Sequence, residues 1–225
     1  MKTIYLFTAV VLVAASALAA DKNALIANLK DGKAQTIVTY GTSLTACGAW
    51  VKQLQDALDK KFPGLAKVIN GGWSGMWSKW GVDNLDRRVI SKQPDAVFIE
   101  FAINDAHLKF ATSPADARRN LETMIDRILL ARPQCQIILM TMDPPIGKAF
   151  ECRPKIEDYY DVYRQVAKER KFLLIDHELN WKTILDQDKV TFKKYVPDGL
   201  HPNALGCEKV ILPQLLKSLA IEDAK

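Results

Sequence analysis

The stretch TIVTYGTSLTACG, residues 36–48, joins two patterns that belong to different secondary structures. Residues 36–40 are mostly β-branched or aromatic, which is typical of a buried strand. From Ala46 to Lys60 the apolar side chains recur at close to a helical period. Ser43 lies at the junction, where it could be a nucleophile, a helix cap or a small turn residue. For a lone serine a cap is the commoner role, and the nucleophile motif G-x-S-x-G is absent.

Four further apolar runs follow along the chain. They are KVIN (67–70), AVFIEF (96–101), QIILMTM (136–142) and FLLID (172–176). Runs that are apolar at nearly every position are typical of parallel strands that are covered on both faces. Because helical patterns separate them, the sequence predicts β-α-β units with right-handed crossovers. We therefore expect an α/β fold, a three-layer α/β/α sandwich with a flavodoxin-like parallel sheet of about five strands.

Helices are predicted between and after these strands. Their ranges are 46–60, 114–131, 155–171 and 204–219. Ser113 is expected to cap the second helix, with Pro114 in its first turn. Pro213 is expected to kink the last one.

The first twenty residues have the features of a signal peptide. Lys2 precedes an apolar run at 4–13, and Ala17-Leu18-Ala19 resembles a cleavage site. A membrane anchor is the alternative, but the apolar core is too short to span a bilayer comfortably. The sequence predicts a signal peptide at 1–20, a single domain at 21–225, no stable membrane insertion, and a secreted or periplasmic location.

Charge and cysteine content narrow the possible partners. The formal net charge is +5, and the basic residues are dispersed without a patch that is interleaved with aromatics, so we expect no nucleic-acid partner. Four cysteines occur in a chain predicted to be exported, where disulfides are permitted. The topology places Cys135 at the opposite sheet edge from the other three. Two disulfides are therefore not expected, and a single Cys47–Cys207 bridge is one possible pairing. The sequence contains no cluster of Cys and His residues with the spacing of a metal site, so we expect no bound metal.

Small and polar residues follow the strands, at the edge where ligands bind in such sheets. The segments are GTSL (41–44), NGGWSG (70–75), AIND (102–105) and, before the last helix, PDGLHPN (197–203). Each has an ordinary structural explanation, such as a tight turn at Gly72, an Asx-turn at Asn104 or a structural role for His201.

Together these segments contain the parts of an acyl-transfer site. A serine nucleophile, Ser43, needs a base such as His201, and Asp198, three residues before it, can orient the imidazole. The oxyanion needs N–H donors, for which the backbone of Ser43 and Gly72 and the side-chain amide of Asn104 are candidates.

In this order the four segments resemble the motif blocks of the SGNH (GDSL-type) hydrolase family. Two positions depart from the family pattern. Thr42 replaces the usual aspartate of the first block, and Ala102 replaces the glycine of the third. Neither substitution removes a group assigned to the chemistry, although Thr42 removes a negative charge next to the nucleophile.

The resemblance implies a serine carboxylic-ester hydrolase that uses an acyl-serine intermediate and needs no metal or organic cofactor. Within the family, an exported small esterase with aromatic residues beside its site resembles the carbohydrate O-acetylesterases, which implies a small-molecule or polysaccharide ester as substrate. The alternatives are a lipase, lysophospholipase or thioesterase of the same family, and a non-catalytic carbohydrate-binding protein on the same scaffold. The oligomeric state stays open.

Aromatic residues beside the second block are candidates for substrate binding. Trp73 and Trp77 can stack on a sugar or an acyl group, and His107 can line the pocket. Trp80 is expected to face the core. His177 is expected to be structural.

Overall fold

The structure, a computed structural model, describes residues 24–221 of the 225-residue chain. Five strands occur in this range: β1 (Gln35–Gly41), β2 (Ala66–Asn70), β3 (Ala96–Glu100), β4 (Gln136–Thr141) and β5 (Leu173–Asp176). They form one parallel sheet in the order β2-β1-β3-β4-β5. The predicted five-stranded parallel sheet is confirmed. The predicted signal peptide at 1–20 lies outside the described residues.

The helices of the described range connect and cover these strands. In chain order they are α1 (Ala24–Lys30), α2 (Ser43–Ala46), α3 (Trp50–Lys61), α4 (Ser78–Arg88), α5 (Ala102–Asp105), α6 (Pro114–Ala131), α7 (Lys148–Glu151), α8 (Ile156–Arg170), α9 (His177–Gln187), α10 (Lys189–Tyr195), α11 (Ala204–Gly206) and α12 (Leu212–Ser218).

The strand order changes direction between β1 and β3, and this divides the helices into two layers. The crossover from β1 to β2 runs through α3, whereas α4, α6 and α8 belong to crossovers in the other direction. Right-handed crossovers place these two sets on opposite faces of the sheet. In agreement, α6 packs against both α4 and α8, while α3 packs against α12.

Strands β3 and β4 lie inside the sheet, which explains why apolar residues do not alternate with polar ones in their sequences. Every residue of β3 and β4 is buried, whereas the edge strands β2 and β5 are partly exposed. Glu100, the last residue of β3, is the one residue of β3 and β4 with an ionisable side chain, and it is only 2% exposed. Its position at the carboxyl end of β3 places it at the switch point of the sheet.

Helix α6 begins and ends where the sequence predicts. The Ser113 side chain accepts a hydrogen bond from the Asp116 N–H, and the Asp116 side chain accepts one from the Ser113 N–H, which together form a capping box. Pro114 occupies the first turn. Residues next to each other in the sequence therefore set the start of this helix.

The helix predicted at 46–60 is instead two helices, α2 and α3, with a break at residues 47–49. At Gly48 a Cβ atom would lie 2.0 Å from the Leu44 carbonyl oxygen. The Trp50 indole N–H donates to the same carbonyl at 2.8 Å. A glycine and a buried tryptophan therefore end the short helix early, and α2 becomes a single turn that carries Ser43 at its start.

The helix predicted at 204–219 is also interrupted. Cys207–Ile211 forms a π-helical segment between α11 and α12, and Pro213 lies in the first turn of α12. Proline has no N–H to donate to the preceding turn, so the chain widens ahead of it. The structure thus shows a π-helical turn ahead of Pro213, and the kink expected at this proline stays a prediction.

Candidate active site

Ser43 begins α2, directly after β1, but it is not the helix cap. The N-cap is Thr42, whose hydroxyl oxygen accepts a hydrogen bond from the Leu44 N–H at 3.2 Å. The Ser43 hydroxyl oxygen instead lies 2.9 Å from His201 Nε2. The structure therefore gives the capping role to the neighbouring threonine and leaves the serine hydroxyl to contact the imidazole.

His201 is held on its other side by Asp198. The imidazole Nδ1 lies 2.6 Å from Asp198 Oδ2, while Oδ1 accepts the backbone N–H groups of Leu200 at 2.9 Å and of His201 at 2.7 Å. A carboxylate only accepts hydrogen bonds, so Nδ1 carries the proton and Nε2 is free to accept from Ser43. The three side chains form one continuous hydrogen-bonded chain.

The Asp198 carboxyl group stays ionised at neutral pH. Burial would raise its pKa, but hydrogen bonds from the His201 backbone and side chain and from the Leu200 N–H outweigh this effect, and the pKa lies below its usual value. The Asp198 side chain is 54% exposed and that of His201 42%. This half of the site is open to water.

The loop that carries Asp198 and His201 docks onto the segment after β4. Gly199 has a φ of +76°, and a Cβ atom there would lie 2.8 Å from the Ile146 carbonyl oxygen. The Ile146 N–H donates to the Gly199 carbonyl at 2.9 Å. A left-handed backbone and this close contact both require glycine, and they fix the loop against the sheet.

Glu100 supports the serine turn from below. Its carboxyl oxygens accept hydrogen bonds from the Thr42 N–H at 2.7 Å, from the Thr42 hydroxyl at 3.1 Å and from the Thr45 hydroxyl at 2.7 Å. A Cβ atom at Gly41 would lie 2.2 Å from Glu100 Oε1. The buried carboxyl group thus ties both ends of α2 to β3, and it requires a glycine at the end of β1.

Burial raises the pKa of Glu100 to about 7, against the lowering effect of its hydrogen bonds from Thr45 and Thr42, and Asp105 raises it slightly further. These contacts give a physical explanation for Thr42. The family's aspartate is absent, but a carboxyl group reaches the same turn from the neighbouring strand. Sequence reasoning missed Glu100, for which the available sign was a single acidic residue inside the apolar run AVFIEF.

Gly72, the first predicted oxyanion donor outside the serine turn, lies against α2. A Cβ atom on it would lie 2.8 Å from the Ala46 nitrogen and 2.9 Å from a Thr45 side-chain carbon. Its N–H donates to Asn70 Oδ1 at 3.0 Å, and Asn70 Nδ2 in turn donates to the Thr45 carbonyl at 3.0 Å. The glycine is required for this close packing, and its N–H already has an intramolecular acceptor.

Asn104, in α5, is the second predicted donor, and its amide orientation is fixed by two groups. Nδ2 donates to the Met76 carbonyl at 2.8 Å, and Oδ1 accepts from Arg153 Nη2 at 3.3 Å. Because a guanidinium only donates and a carbonyl only accepts, this assignment of the amide is unambiguous. Arg153 is 5% exposed and also donates to the Ile103 carbonyl at 2.7 Å. Sequence reasoning did not identify this arginine.

The three predicted substrate-binding residues divide into two groups. Trp77 stacks on Phe110 with ring centroids 4.5 Å apart, and His107 contacts the edge of Phe110 at 5.9 Å. Burial, then Arg153 and Lys109, lower the pKa of His107. Trp73 lies apart from this group and is 48% exposed.

Two further predictions about ring side chains concern the core. Trp80 is partly buried, packs against the core, and lies with its ring centroid 6.2 Å from that of Tyr40. The prediction that it faces the core is confirmed. His177 is fully buried, and burial lowers its pKa to about 3, so its imidazole is neutral. This environment agrees with a structural residue.

The possible Cys47–Cys207 bridge is wrong, because all four cysteines are free thiols. Cys47 is exposed, with its sulfur 3.2 Å from the Ser74 hydroxyl oxygen. Cys207 is buried, and its thiol contacts the Pro202 carbonyl at 3.7 Å. The π-helical segment and the serine turn therefore hold these two sulfurs in separate contacts.

Within residues 24–221 no helix combines the length and apolar character that crossing a membrane requires. In the same range, no three His, Cys, Asp or Glu side chains are grouped as potential metal ligands.

Known proteins share both the sequence pattern and the fold. The chain is 28% identical over 202 residues to the mouse isoamyl acetate-hydrolyzing esterase 1 homolog, covering 78% of each chain. It is 27% identical over 159 residues to esterase TesA of Pseudomonas aeruginosa, covering 68% of this chain and 75% of TesA. The crystal structure of Axe2, an acetylxylan esterase from Geobacillus stearothermophilus, matches with a TM-score of 0.73 at 22% identity, covering 86% of this chain and 97% of Axe2.

The sequence profile of the GDSL-like Lipase/Acylhydrolase family matches residues 38–209, which contain all four motif segments. The match extends from the middle of β1 into the π-helical segment. The chain therefore belongs to the GDSL-like lipase/acylhydrolase family and is a serine ester hydrolase.

Proposed function

We propose that this chain is a secreted esterase that removes short acyl groups, chiefly O-acetyl groups, from carbohydrates, with Ser43 as its nucleophile. The observation that carries the proposal is the hydrogen-bonded chain from Ser43 Oγ through His201 to Asp198. A serine hydroxyl is a weak nucleophile unless an oriented base takes its proton. Here the base lies at hydrogen-bonding distance, and an ionised carboxylate fixes its tautomer.

In the acylation step, Ser43 Oγ attacks the ester carbonyl and its proton passes to His201 Nε2. When the carbon–oxygen bond of the ester breaks, the imidazolium returns this proton to the leaving alcohol. Water then enters, gives a proton to His201 and attacks the acyl-serine, which releases the carboxylic acid and restores the Ser43 hydroxyl. Asp198 stays ionised throughout and stabilises the imidazolium.

The oxyanion of each tetrahedral intermediate is expected to bind the N–H groups of Ser43 and Gly72 and the side-chain amide of Asn104. Asn104 has two amide hydrogens, of which one is donated to Met76, so the second can serve the oxyanion. The Gly72 N–H must share its hydrogen between Asn70 and the oxyanion. Asn70 therefore affects how strongly the Gly72 N–H can bind the oxyanion.

Three features support a short acyl group on a carbohydrate. The isoamyl acetate-hydrolyzing and acetylxylan-esterase relatives are named for acetate esters. The half-exposed Trp73 offers a ring on which a sugar can stack. The first twenty residues have the pattern of an export signal.

The decisive test compares the wild type with Ser43→Ala on p-nitrophenyl acetate. We expect a loss of about 10⁴-fold or more in kcat, because removing the nucleophile of a triad removes the contribution of the whole unit. Thr45→Ser, which keeps a hydroxyl two residues away in the same helix, is the matched control and should retain most activity. Equal rates for wild type and Ser43→Ala would rule out this serine as the nucleophile.

A second measurement separates the substrate classes. Rates on p-nitrophenyl esters of increasing acyl length should fall beyond the shortest chains, and acetate should be released from acetylated polysaccharides. Higher rates on long acyl chains would instead favour a lipase or lysophospholipase, and a preference for acyl thioesters would favour a thioesterase. Export is tested by sequencing the N-terminus of the mature protein, which should begin near Asp21.

A further inference from the structure

An open cleft lies directly beside the proposed oxyanion site. It has a volume of about 530 Å³, and its lining includes Gly72, Trp73, Ser74 and Arg88. Gly72 belongs to both places, because its N–H is a proposed oxyanion donor and its carbonyl oxygen accepts a hydrogen bond from Arg88 Nη1 at 3.4 Å. A group bound in the cleft against Gly72 therefore lies next to the glycine that is proposed to serve the reacting ester.

Arg88 is held in place by aromatic rings. Its guanidinium carbon lies 4.3 Å from the centroid of the Trp73 ring and 5.4 Å from that of Trp80. The two indoles are themselves stacked at 6.5 Å. A guanidinium that is stacked in this way loses little conformational freedom when it binds a ligand.

The charge of Arg88 is not neutralised within residues 24–221. None of the ion pairs in this range includes Arg88, and its only hydrogen bond is the long one to the Gly72 carbonyl. Its Nε atom is buried without a hydrogen-bond partner. A guanidinium has five N–H donors, so most of the donors of this side chain are unused.

The position of Arg88 in the last turn of α4 gives a simpler explanation for a basic residue, because cations are favourable at helix C-termini. Arg87 has the same explanation and is the natural control. Arg87 donates to Asn84 and does not line the cleft beside Gly72. Stacking on Trp73 and contact with the Gly72 carbonyl distinguish Arg88 from this neighbour.

We propose that the cleft lined by Trp73 and Arg88 is a subsite for an acidic sugar, in which Arg88 binds the carboxylate of a uronic acid residue and the exposed part of Trp73 stacks on its ring. A planar guanidinium pairs with a carboxylate through two parallel hydrogen bonds. An exposed indole beside it suits the apolar face of a pyranose. The inference rests on the proposed function and specifies its substrate as the acetyl esters of acidic saccharides.

The test uses the wild-type enzyme on two substrates that differ in one group. The first is a partly O-acetylated oligogalacturonide, and the second is the same oligosaccharide with its carboxylates converted to methyl esters. Acetate release should show a kcat/KM about tenfold higher for the free acid, as expected for a hydrogen-bonded charge pair. High salt should reduce this preference. Equal kcat/KM values for the two substrates would overturn the proposal.

Arg88→Gln and Arg87→Gln then assign the preference to one side chain. Arg88→Gln should lose most of the tenfold preference while its rate on p-nitrophenyl acetate stays within about threefold of wild type. Arg87→Gln should keep the preference. If Arg88→Gln lowers both activities equally, Arg88 acts only by holding Gly72, and the subsite is refuted.

These measurements also separate the two proposals. If Ser43→Ala hydrolysed p-nitrophenyl acetate as fast as the wild type, the proposed chemistry would be contradicted. An esterase that depends on Ser43 but does not distinguish the free acid from its methyl ester would contradict only the subsite. An esterase that releases no acetate from either saccharide would contradict both the carbohydrate assignment and the subsite.

Discussion

Two carboxyl groups flank the serine turn from opposite sides, and their surroundings are opposite too. Asp198 reaches His201 from the water side with its side chain 54% exposed, whereas Glu100 reaches Thr42 and Thr45 from the core and is 2% exposed. Hydrogen bonds hold the pKa of Asp198 below its usual value, while burial raises that of Glu100 to about 7. The same functional group is thus suited to electrostatic support in one place and to holding backbone geometry in the other.

Asp198→Asn should have the largest effect and should act on catalysis alone. An asparagine can keep the geometry but favours the wrong imidazole tautomer, so kcat is expected to fall about 10⁴-fold. Because Asp198 is exposed, the melting temperature should change little. Thermal unfolding and kcat on p-nitrophenyl acetate measure the two effects. A large loss of stability would show that Asp198, like Glu100, contributes to the stability of the fold as well as to catalysis.

Glu100→Ala should show the converse pattern, with stability and activity lost together. It leaves the Thr42 N–H and the Thr45 hydroxyl without their buried acceptor, which should lower the free energy of unfolding by about 3 kcal/mol. Displacement of the serine turn should also lower kcat/KM about 10²-fold.

Glu100→Gln is the matched control for that change, since it keeps an acceptor oxygen of the same size. It should lie within about 1 kcal/mol of wild type in denaturant unfolding. If Glu100→Ala and Glu100→Gln lost the same stability, the hydrogen bonds from Thr42 and Thr45 would not explain why an acceptor is needed at position 100.

Thr42→Asp restores the aspartate usual in the family and tests whether Glu100 has replaced it. Thr42 Oγ1 lies 3.1 Å from both Glu100 oxygens, so the change places two carboxyl groups together in a buried site. We expect a loss of about 2 kcal/mol in unfolding free energy, because like charges at this distance cannot both ionise without cost.

The double variant Thr42→Asp, Glu100→Gln should recover much of this loss, since it again has one ionisable group in the site. A double-mutant cycle measures the coupling, which should be about 1–2 kcal/mol. Strictly additive effects would mean that the two positions are independent.

The last expected effect is on the pH dependence of stability. Glu100 binds its proton up to a pH of about 7 in the folded state but releases it near 4.5 when unfolded. In that window the folded state holds the extra proton, so stability falls as pH rises. Asp105, whose pKa burial also raises to about 7, acts in the same direction.

Glu100→Gln removes one of these two contributions. Between pH 5 and 7 this contribution falls by about 2 kcal/mol, so the melting temperature of the wild type should fall by about 4–8 °C more than that of the variant. Parallel curves for the two proteins would show that Glu100 does not change its protonation in this range.

Features encoded by neighbouring residues were the most predictable from the sequence. The start of α6 follows from a capping box and a first-turn proline, and the Asp198–His201 hydrogen bond follows from a spacing of three residues. The parallel sheet follows from apolar runs of strand length. In each of these cases the sequence pattern that makes the prediction lies within one turn or one strand.

The Ser43–His201 contact, across 158 positions, was expected because the order of the motif segments resembles the family pattern, but other features that depend on distant parts of the chain were missed. Glu100 supports Thr42 across 58 positions, and Arg153 orients Asn104 across 49. Helix α9 follows β5 directly, and a single residue separates it from α10. Together with the short helix α1, these helices have no long periodic pattern that would have predicted them. The break between α2 and α3 depends on how Trp50 packs beneath Leu44, which periodicity does not reveal.

The contact between Gly41 and Glu100 also has an evolutionary consequence. Positions 41, 42, 45 and 100 share one hydrogen-bonded arrangement, so a change at one of them alters what the others can tolerate. A lineage that gains aspartate at 42 should have lost the acid at 100, and a lineage that keeps the acid should keep glycine at 41. Related sequences should therefore fall into two groups, each with a carboxyl group at only one of positions 42 and 100, and few should contain both acids or neither.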